Sequence, residues 1–310
     1  MRAALLALAL LAAISARAED LGGADLTAPS LAPADALPSV LSGTLAKARA
    51  SGVLTLGYRD SAFPFSYVRD GKPQGYSLEL CQGVVEEIAR ELQAPVKSLF
   101  AAVTAADRFD AVGSGKVDLE CGSTTENVER RKLAAFSPLI FVAGVKLMTK
   151  RESEARSLRD LKGKTLAVVA GATAESALRA MNDRYGLGLT LLPVPGYDDG
   201  YAKLKSGEAQ ALAADDVLLS GLIASHKGES ETRIVGDFLT YEPYGLMYRR
   251  DDPQMAAAVT RAFAVMAADG ALGATYAKWF LAPTPTGETV GLPMSAQLSE
   301  AFRAMGAQGF

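Results

Sequence analysis

The chain has 310 residues, 49% of them hydrophobic and 22% charged, with 32 lysines and arginines against 35 aspartates and glutamates. The resulting formal net charge of −3 excludes a nucleic-acid binder on charge grounds. One histidine and two cysteines exclude the ordinary zinc-ligand patterns, so no metal and no cofactor is expected.

Met1 to Ala18 holds Arg2, an apolar run from Ala3 to Ile14, and Ala16-Arg17-Ala18. That is a charged start, a short apolar region and a small-x-small cleavage site, the pattern of an export signal. The apolar run is too short for a stable membrane anchor, and no later stretch is apolar enough to be one. Removing residues 1–18 takes away two arginines and leaves a net charge of about −5. Residues 19–41, rich in Ala, Pro, Leu and Gly, read as a flexible leader. The remainder suffices for two small domains or one large one, with a substantial core.

Thr44 to Ala50 reads as a short helix and Val53 to Tyr58 as a strand, with Arg59 directly at its carboxyl end. In open α/β sheets ligands bind outside strand carboxyl ends. Arg59 is therefore either a ligand arginine or a solvated loop charge. Phe63-Pro64-Phe65 places aromatic side chains nearby. From Gly75 a helix runs with Leu80, Val84, Ile88 and Leu92 on one face. Val96 to Phe100 is the next strand, and a helix containing Arg108 follows from Thr104. Alternating strands and helices argue for a parallel α/β sheet.

Val117 to Cys121 leads into Gly122-Ser123-Thr124-Thr125, and Glu126 to Lys132 is a good helix former. A helix start with three small hydroxyls attracts an anion, and Arg130, one turn on, offers a two-pronged donor to a carboxylate. Ser123 with Glu126 equally satisfies a capping box, which only stabilises the helix. Phe136 to Met148 reads as an extended crossing to a second lobe. Leu158 to Gly163 reads as a helix and its stop. Lys164 to Ala170, then Gly171-Ala172-Thr173, repeats the strand–glycine–hydroxyl–helix unit and is a second candidate anion seat near Thr173. Leu189 to Pro193 is a strand and Gly196 to Asp199, with Tyr197, a loop. Asp215-Asp216 ends the strand Ala209 to Ala213, as a ligand group or as the cap of the helix from Val217 to Ile223. His226 lies in a polar loop and reads as solvated; a Ser–His–Asp site would need it, and no nucleophile-elbow motif supports one. Glu242 to Tyr248 reads as the return crossing. Asp251-Asp252-Pro253 caps a helix with Met255, Val259, Ala262 and Met266 on its core face, and further helices follow at Leu272 to Leu281 and Ser295 to Met305.

The run CGSTTENVERRKLAAFSPLIF resembles the ligand-binding segment of periplasmic solute-binding proteins that serve amino-acid ABC transporters, and most of all their glutamate/aspartate-binding branch. GYRDSAFPFSY, GYSLELCQGVVEEI and ADDVLLSG match the same branch in the same order, so the resemblance covers about residues 44–282. It implies a two-lobed fold of type II with the ligand cleft between lobes joined by two hinge crossings: 42–140 with 245–310, and 141–244. It implies a monomer in the periplasm that binds glutamate or aspartate, delivers it to an inner-membrane permease, and is no enzyme. Carried over residue by residue, Arg130 with Ser123, Thr125 and the Thr173 seat would hold the α-carboxylate. Asp215 would take the ammonium group, and Arg59 and Arg108 the distal carboxylate. Two positions depart from the branch: Ala172 stands where a threonine is usual, and Tyr197 where a histidine contacts the ligand side chain. The rival readings are a glutamine or other polar amino-acid binder, and a periplasmic enzyme of this fold such as a cyclohexadienyl dehydratase. Glu175 and Asp199 are the acids such an enzyme could use. Export would permit a disulfide between Cys81 and Cys121, and two exported cysteines usually pair; the sequence leaves its geometry open.

Overall fold

The computed structural model describes residues 40–283 and 287–308. The expected export signal, 1–18, and residues 19–39 of the expected leader lie outside them. Helix α1 (Gly43–Ser51) leads into β1 (Val53–Tyr58), and a ribbon of β2 (Ser61–Ala62), β3 (Ser66–Arg69) and β4 (Lys72–Gln74) follows. Next come α2 (Tyr76–Leu92), β5 (Lys97–Ala102), α3 (Arg108–Gly113), β6 (Leu119–Glu120) and β7 (Ala134–Phe136). The chain crosses through β8 (Phe141–Ala143) into β9 (Val145–Lys150), β10 (Thr165–Val169), α4 (Thr173–Tyr185) and β11 (Thr190–Val194). After α5 (Tyr197–Ser206), β12 (Ala211–Asp215), α6 (Asp216–His226) and β13 (Thr232–Val235) it returns through β14 (Glu242–Tyr244) to β15 (Met247–Arg249). Helices α7 (Pro253–Ala268), α8 (Ala271–Tyr276) and α9 (Ala296–Ala304) finish the described chain, with a π-helical turn at Ala277–Leu281 after α8.

Two five-stranded sheets result, ordered β5-β1-β6-β15-β7 and β11-β10-β12-β9-β13. Their left-hand halves are parallel, as the strand–helix alternation predicts, but β15 runs antiparallel to β6 and β7, and β9 antiparallel to β12 and β13. The purely parallel expectation fails because β9 and β15 are reached by the crossings, which deliver the chain from the other lobe in the opposite sense. The crossings themselves pair, Glu242 opposite Ala143 and Tyr244 opposite Phe141. They are the two links between lobes of a type II binding-protein fold.

The apolar face of α2 packs as its spacing predicts: Leu80, Val84, Ile88 and Leu92 are buried together with Met255, Val259, Ala262 and Met266 of α7. Asp252 caps α7, accepting the Met255 amide proton. Cys81 of α2 is bonded to Cys121 just after β6, with Cα atoms 6.1 Å apart. The bond anchors the loop that follows β6 to the long helix beneath it. Among the described residues no single helix is long and apolar enough to cross a membrane.

Four further expectations need correction. Glu126 to Lys132 is not an α-helix: only a single 3-10 turn forms, at Arg130–Lys132. Thr125 bridges to Tyr244, the Glu126 amide donates to the Pro243 carbonyl at 2.7 Å, and the Gly245 amide to the Thr124 carbonyl at 3.1 Å. These bonds to the return crossing hold residues 124–126 extended, where a helix would need the same groups. Gly196 to Asp199 is not a loop. Gly196 occupies the cap position of α5, Tyr197 opens the helix, and Asp198 and Asp199 suit its positive end. His226 is exposed, as expected, but not in a loop: it ends α6, hydrogen-bonds Asp198 at 2.8 Å and stacks on Tyr201. Leu158–Leu161 is likewise a 3-10 turn, closed by a capping box of Ser157 and Asp160.

Candidate functional site

Strand ends and helix starts from both sheets converge between the crossings. Arg59 follows β1, is 4% exposed, and its backbone N–H donates to Ser66 Oγ at 2.8 Å. Burial of a guanidinium this deep is costly unless anions meet it. Arg108 opens α3, is 2% exposed, donates to the Ala105 carbonyl at 2.8 Å and lies over the Phe109 ring. Burial pushes its guanidinium down to about 9, neighbouring Arg59 and Arg130 push the same way, and Glu120 and Tyr197 oppose them. Two buried arginines thus lie near one another on the first sheet.

Glu120, not singled out from the sequence, stands beside them. It is fully buried at the end of β6, and one carboxylate oxygen accepts the Thr124 hydroxyl at 2.8 Å. Gly122 makes the approach possible: a Cβ there would stand 2.3 Å from Glu120 Oε1 and 3.0 Å from Arg59 Cγ. Among the described residues, Arg108 Nε and Glu120 Oε1 are buried without a hydrogen-bond partner, while the Ser123 hydroxyl interacts with that of Tyr197. Such groups are rare in folded proteins and call for a partner that the protein itself does not supply.

Arg130 spans the cleft. Nη1 donates to the Thr125 carbonyl at 2.9 Å and Nη2 to the Gly171 carbonyl of the second lobe at 3.3 Å. Its position comes from the 3-10 turn rather than from an α-helix, so the expected helix-start seat at Ser123 to Thr125 is instead an extended segment with buried hydroxyls. The second seat does open a helix: Thr173 is the first residue of α4. The Gly171 amide is taken by Glu175 Oε2 at 3.0 Å, and Glu175 also pairs with Arg179. Gly171 has φ +77°, and a Cβ there would lie 2.9 Å from the Ala105 carbonyl oxygen, so glycine permits the two lobes to touch.

Tyr197 is buried at the start of α5, its backbone N–H donating to Ser61 Oγ across the cleft at 3.2 Å. Burial raises its phenol, with Arg59 and Arg108 opposing and Asp215 reinforcing, so the ring faces both charge types. Asp215 ends β12 in the cap position of α6, yet its side chain makes no cap bond; it accepts the Tyr244 hydroxyl instead. Burial pushes its carboxyl up to about 7, and Glu242 is the strongest of the neighbouring charges in that direction. Glu242 opens β14, is 2% exposed and accepts the Thr173 hydroxyl at 2.8 Å.

Hydrogen bonds and charge interactions link the residues singled out from the sequence, Arg59, Arg108, Ser123, Thr125, Arg130, Thr173, Tyr197 and Asp215, to one another or to shared neighbours. Glu120, Glu242 and Tyr244 were missed. The available signal was an acid at the end of a short strand and another inside an apolar crossing.

A family model described as bacterial extracellular solute-binding proteins, family 3, matches residues 54–282. An L-glutamate/L-aspartate-binding protein of Pseudomonas aeruginosa is 38% identical over 275 residues, covering 87% of this chain and 91% of that one. A glutamate/aspartate import solute-binding protein of Escherichia coli is 35% identical, covering 89% and 91%. Among solved structures, an ancestral arginine-binding protein bound to arginine superposes with TM-score 0.67 at 27% identity, covering 74% of this chain and 98% of its own. Two sheets linked by paired crossings, a cleft of buried opposite charges and a match across most of the length agree: this chain belongs to family 3 of the bacterial extracellular solute-binding proteins.

Proposed function

We propose that the protein captures an acidic amino acid, glutamate or aspartate, in the periplasm and delivers it to an inner-membrane ABC permease. The observation that carries this reading is the pairing of two buried arginines, Arg59 and Arg108, with a buried acid, Asp215, in one cleft. A ligand with two carboxylates and one ammonium group complements that set. Arg59 and Arg108 hold the distal carboxylate. Arg130, with the Ser123–Thr125 segment and the backbone start of α4 at Thr173, holds the α-carboxylate. Asp215 takes the ammonium group, and Tyr197 bounds the pocket between them. The lobes in this reading are 42–140 with 245–310, and 141–244, and the working unit is a monomer. The names of the 35–38% identical relatives support the same ligand class.

Charge-assisted hydrogen bonds contribute about 1.5–3 kcal/mol each, so a handful account for the roughly 8 kcal/mol of micromolar binding. Closure follows from the same contacts, because a ligand shifts an equilibrium only by what it gains in the favoured state. Glutamine is the nearest rival ligand. It would leave one arginine of the pair buried without a counter-charge, at a cost. Turnover has no part in the reading. Glu175 is engaged with Gly171 and Arg179, and Asp199 lies exposed on α5.

Calorimetric titration of refolded, ligand-stripped protein with glutamate, aspartate, glutamine and asparagine tests the proposal. Micromolar or tighter binding of the acids, at least tenfold tighter than their amides, is the expected result. Tighter binding of an amide would reject dicarboxylate recognition, and binding of none of the four would reject the ligand class.

A further inference from the structure

The acidic half of the cleft holds two carboxylates, and the reading above uses only one. Glu242 sits on β14, one of the two strands joining the lobes, opposite Ala143 of β8. It accepts the Thr173 hydroxyl proton from the start of α4 at 2.8 Å. An ionised carboxylate can only accept, so the Thr173 O–H is committed to Glu242 and its remaining lone pair can only receive a proton from elsewhere. Thr173 therefore presents an acceptor toward the cleft, not a donor. Tyr244, two residues along the same strand, donates to Asp215.

The charges facing Asp215 come from four elements. Glu242 and Tyr244 lie on β14, Asp216 on α6, Arg130 on the 3-10 turn and Tyr197 on α5. Only Arg130 among them is cationic, and its guanidinium already donates to the Thr125 and Gly171 carbonyls. Glu242 is the strongest neighbouring charge felt by both Arg130 and Asp215, after the effect of burial itself. Two buried acids that share one arginine repel one another. A primary ammonium brings one positive charge and three donors. Those donors match Asp215, Glu242 and the Thr173 oxygen.

We propose that Glu242 is a specificity-determining residue: with Asp215 it forms a two-carboxylate seat on which the cleft closes only around a ligand bearing a protonated amino group. The inference rests on the acidic-amino-acid reading and goes beyond it by naming what rejects a dicarboxylate without an amino group. Glutarate, which is glutamate lacking that group, is the probe. It satisfies the arginine half and leaves the acidic half uncompensated.

The test is calorimetric titration of glutamate and glutarate into the native protein and into Glu242→Gln at pH 7.5. Glutamine at this position keeps an acceptor for Thr173 and removes the charge. The native protein should bind glutarate at least 100-fold more weakly than glutamate. Glu242→Gln should narrow that ratio at least tenfold, mainly by strengthening glutarate. A merely structural Glu242 would weaken both ligands together, and a narrowing below tenfold overturns the inference. Should the variant not fold, the native protein carries the test between pH 8.0 and 6.5. Protonation of Asp215, which is raised to about 7 with Glu242 as its strongest neighbouring charge, should then narrow the glutarate-to-glutamate ratio, and a constant ratio overturns the inference. Native protein that binds neither glutamate nor aspartate would overturn this inference together with the reading beneath it. Tight glutamate binding with an unmoved ratio overturns this inference alone.

Discussion

Arg59 and Arg108 are held by a strand end and a helix start of the first sheet, whereas Asp215 and Glu242 come from the second sheet and a crossing strand. Each half contains a like-charged pair and one opposite charge, Glu120 beside the arginines and Arg130 beside the acids. The arginine half is carried wholly by the first lobe, with Cys81–Cys121 anchoring the chain next to Gly122. The acidic half belongs to the second lobe, where Thr173 holds Glu242, and Arg130 of the first lobe reaches it through Gly171. The arginine half is therefore held within one lobe, whereas the acidic half depends on one contact between lobes. A ligand that discharges only one of them gains little from closing the cleft.

The largest expected effect breaks the acidic half. Asp215→Asn should weaken every amino-acid ligand by roughly 100-fold or more, the cost of truncating one partner of a buried charge pair. Calorimetry would show it as a uniform loss; a loss confined to the acids would move Asp215 to the wrong end of the ligand. Next comes the contact between lobes. Gly171→Ala places a methyl against the Ala105 carbonyl and strains a left-handed residue, so affinity should drop roughly tenfold, and the ligand-free protein should lose about 1 kcal/mol of stability. Small-angle scattering with saturating glutamate should show incomplete closure in that variant; full closure with native affinity would remove Gly171 from the account.

The acidic half should also titrate. The folded-state carboxyl of Asp215 is raised to about 7, so it binds a proton more readily than the unfolded residue does. Its contribution to the stability of the ligand-free closed form is fully present below the unfolded value of 3.8 and is lost as pH rises through about 7. An ammonium ligand requires the ionised form, so binding has the opposite sense. Affinity should fall by up to tenfold per pH unit below about 7, and binding near neutrality should release protons. Titrations in buffers of different ionisation enthalpy measure that release, and a pH-independent affinity with no proton release would contradict the assignment. The smallest effect on recognition should come from the half held within one lobe. Reducing Cys81–Cys121, which closes a separation of 40 residues, should remove about 4 kcal/mol of stability and lower Tm by roughly 10 °C. The ratio of glutamate to glutamine affinity should stay unchanged, as calorimetry under reducing conditions would check.

Much of this architecture was legible because it is periodic. The four-residue spacing in α2, the alternation in β1 and the Asp252-Pro253 start of α7 all depend on neighbours in the chain. The Glu126–Lys132 segment misled because its helix propensity is real but loses to bonds from Pro243 and Gly245, more than a hundred residues away. Tyr197 was read as a loop residue because Gly196 signals a turn equally well at a strand end and at a helix cap. Glu120 and Glu242 went unread for a different reason. An acid in a short strand is ordinarily a surface residue, and only the packing of both sheets shows that these two are buried among arginines and hydroxyls. The arginines, hydroxyls and Asp215 could be named from motif resemblance; the acids that neighbour them had to be seen in three dimensions.

Arg108→Met tests most directly whether the arginine half reads the distal carboxylate while the acidic half reads the amino group. Titrated with glutamate and with glutamine, the variant should lose roughly 100-fold in affinity for glutamate and less than threefold for glutamine. Equal losses for the two ligands would contradict the division of the cleft.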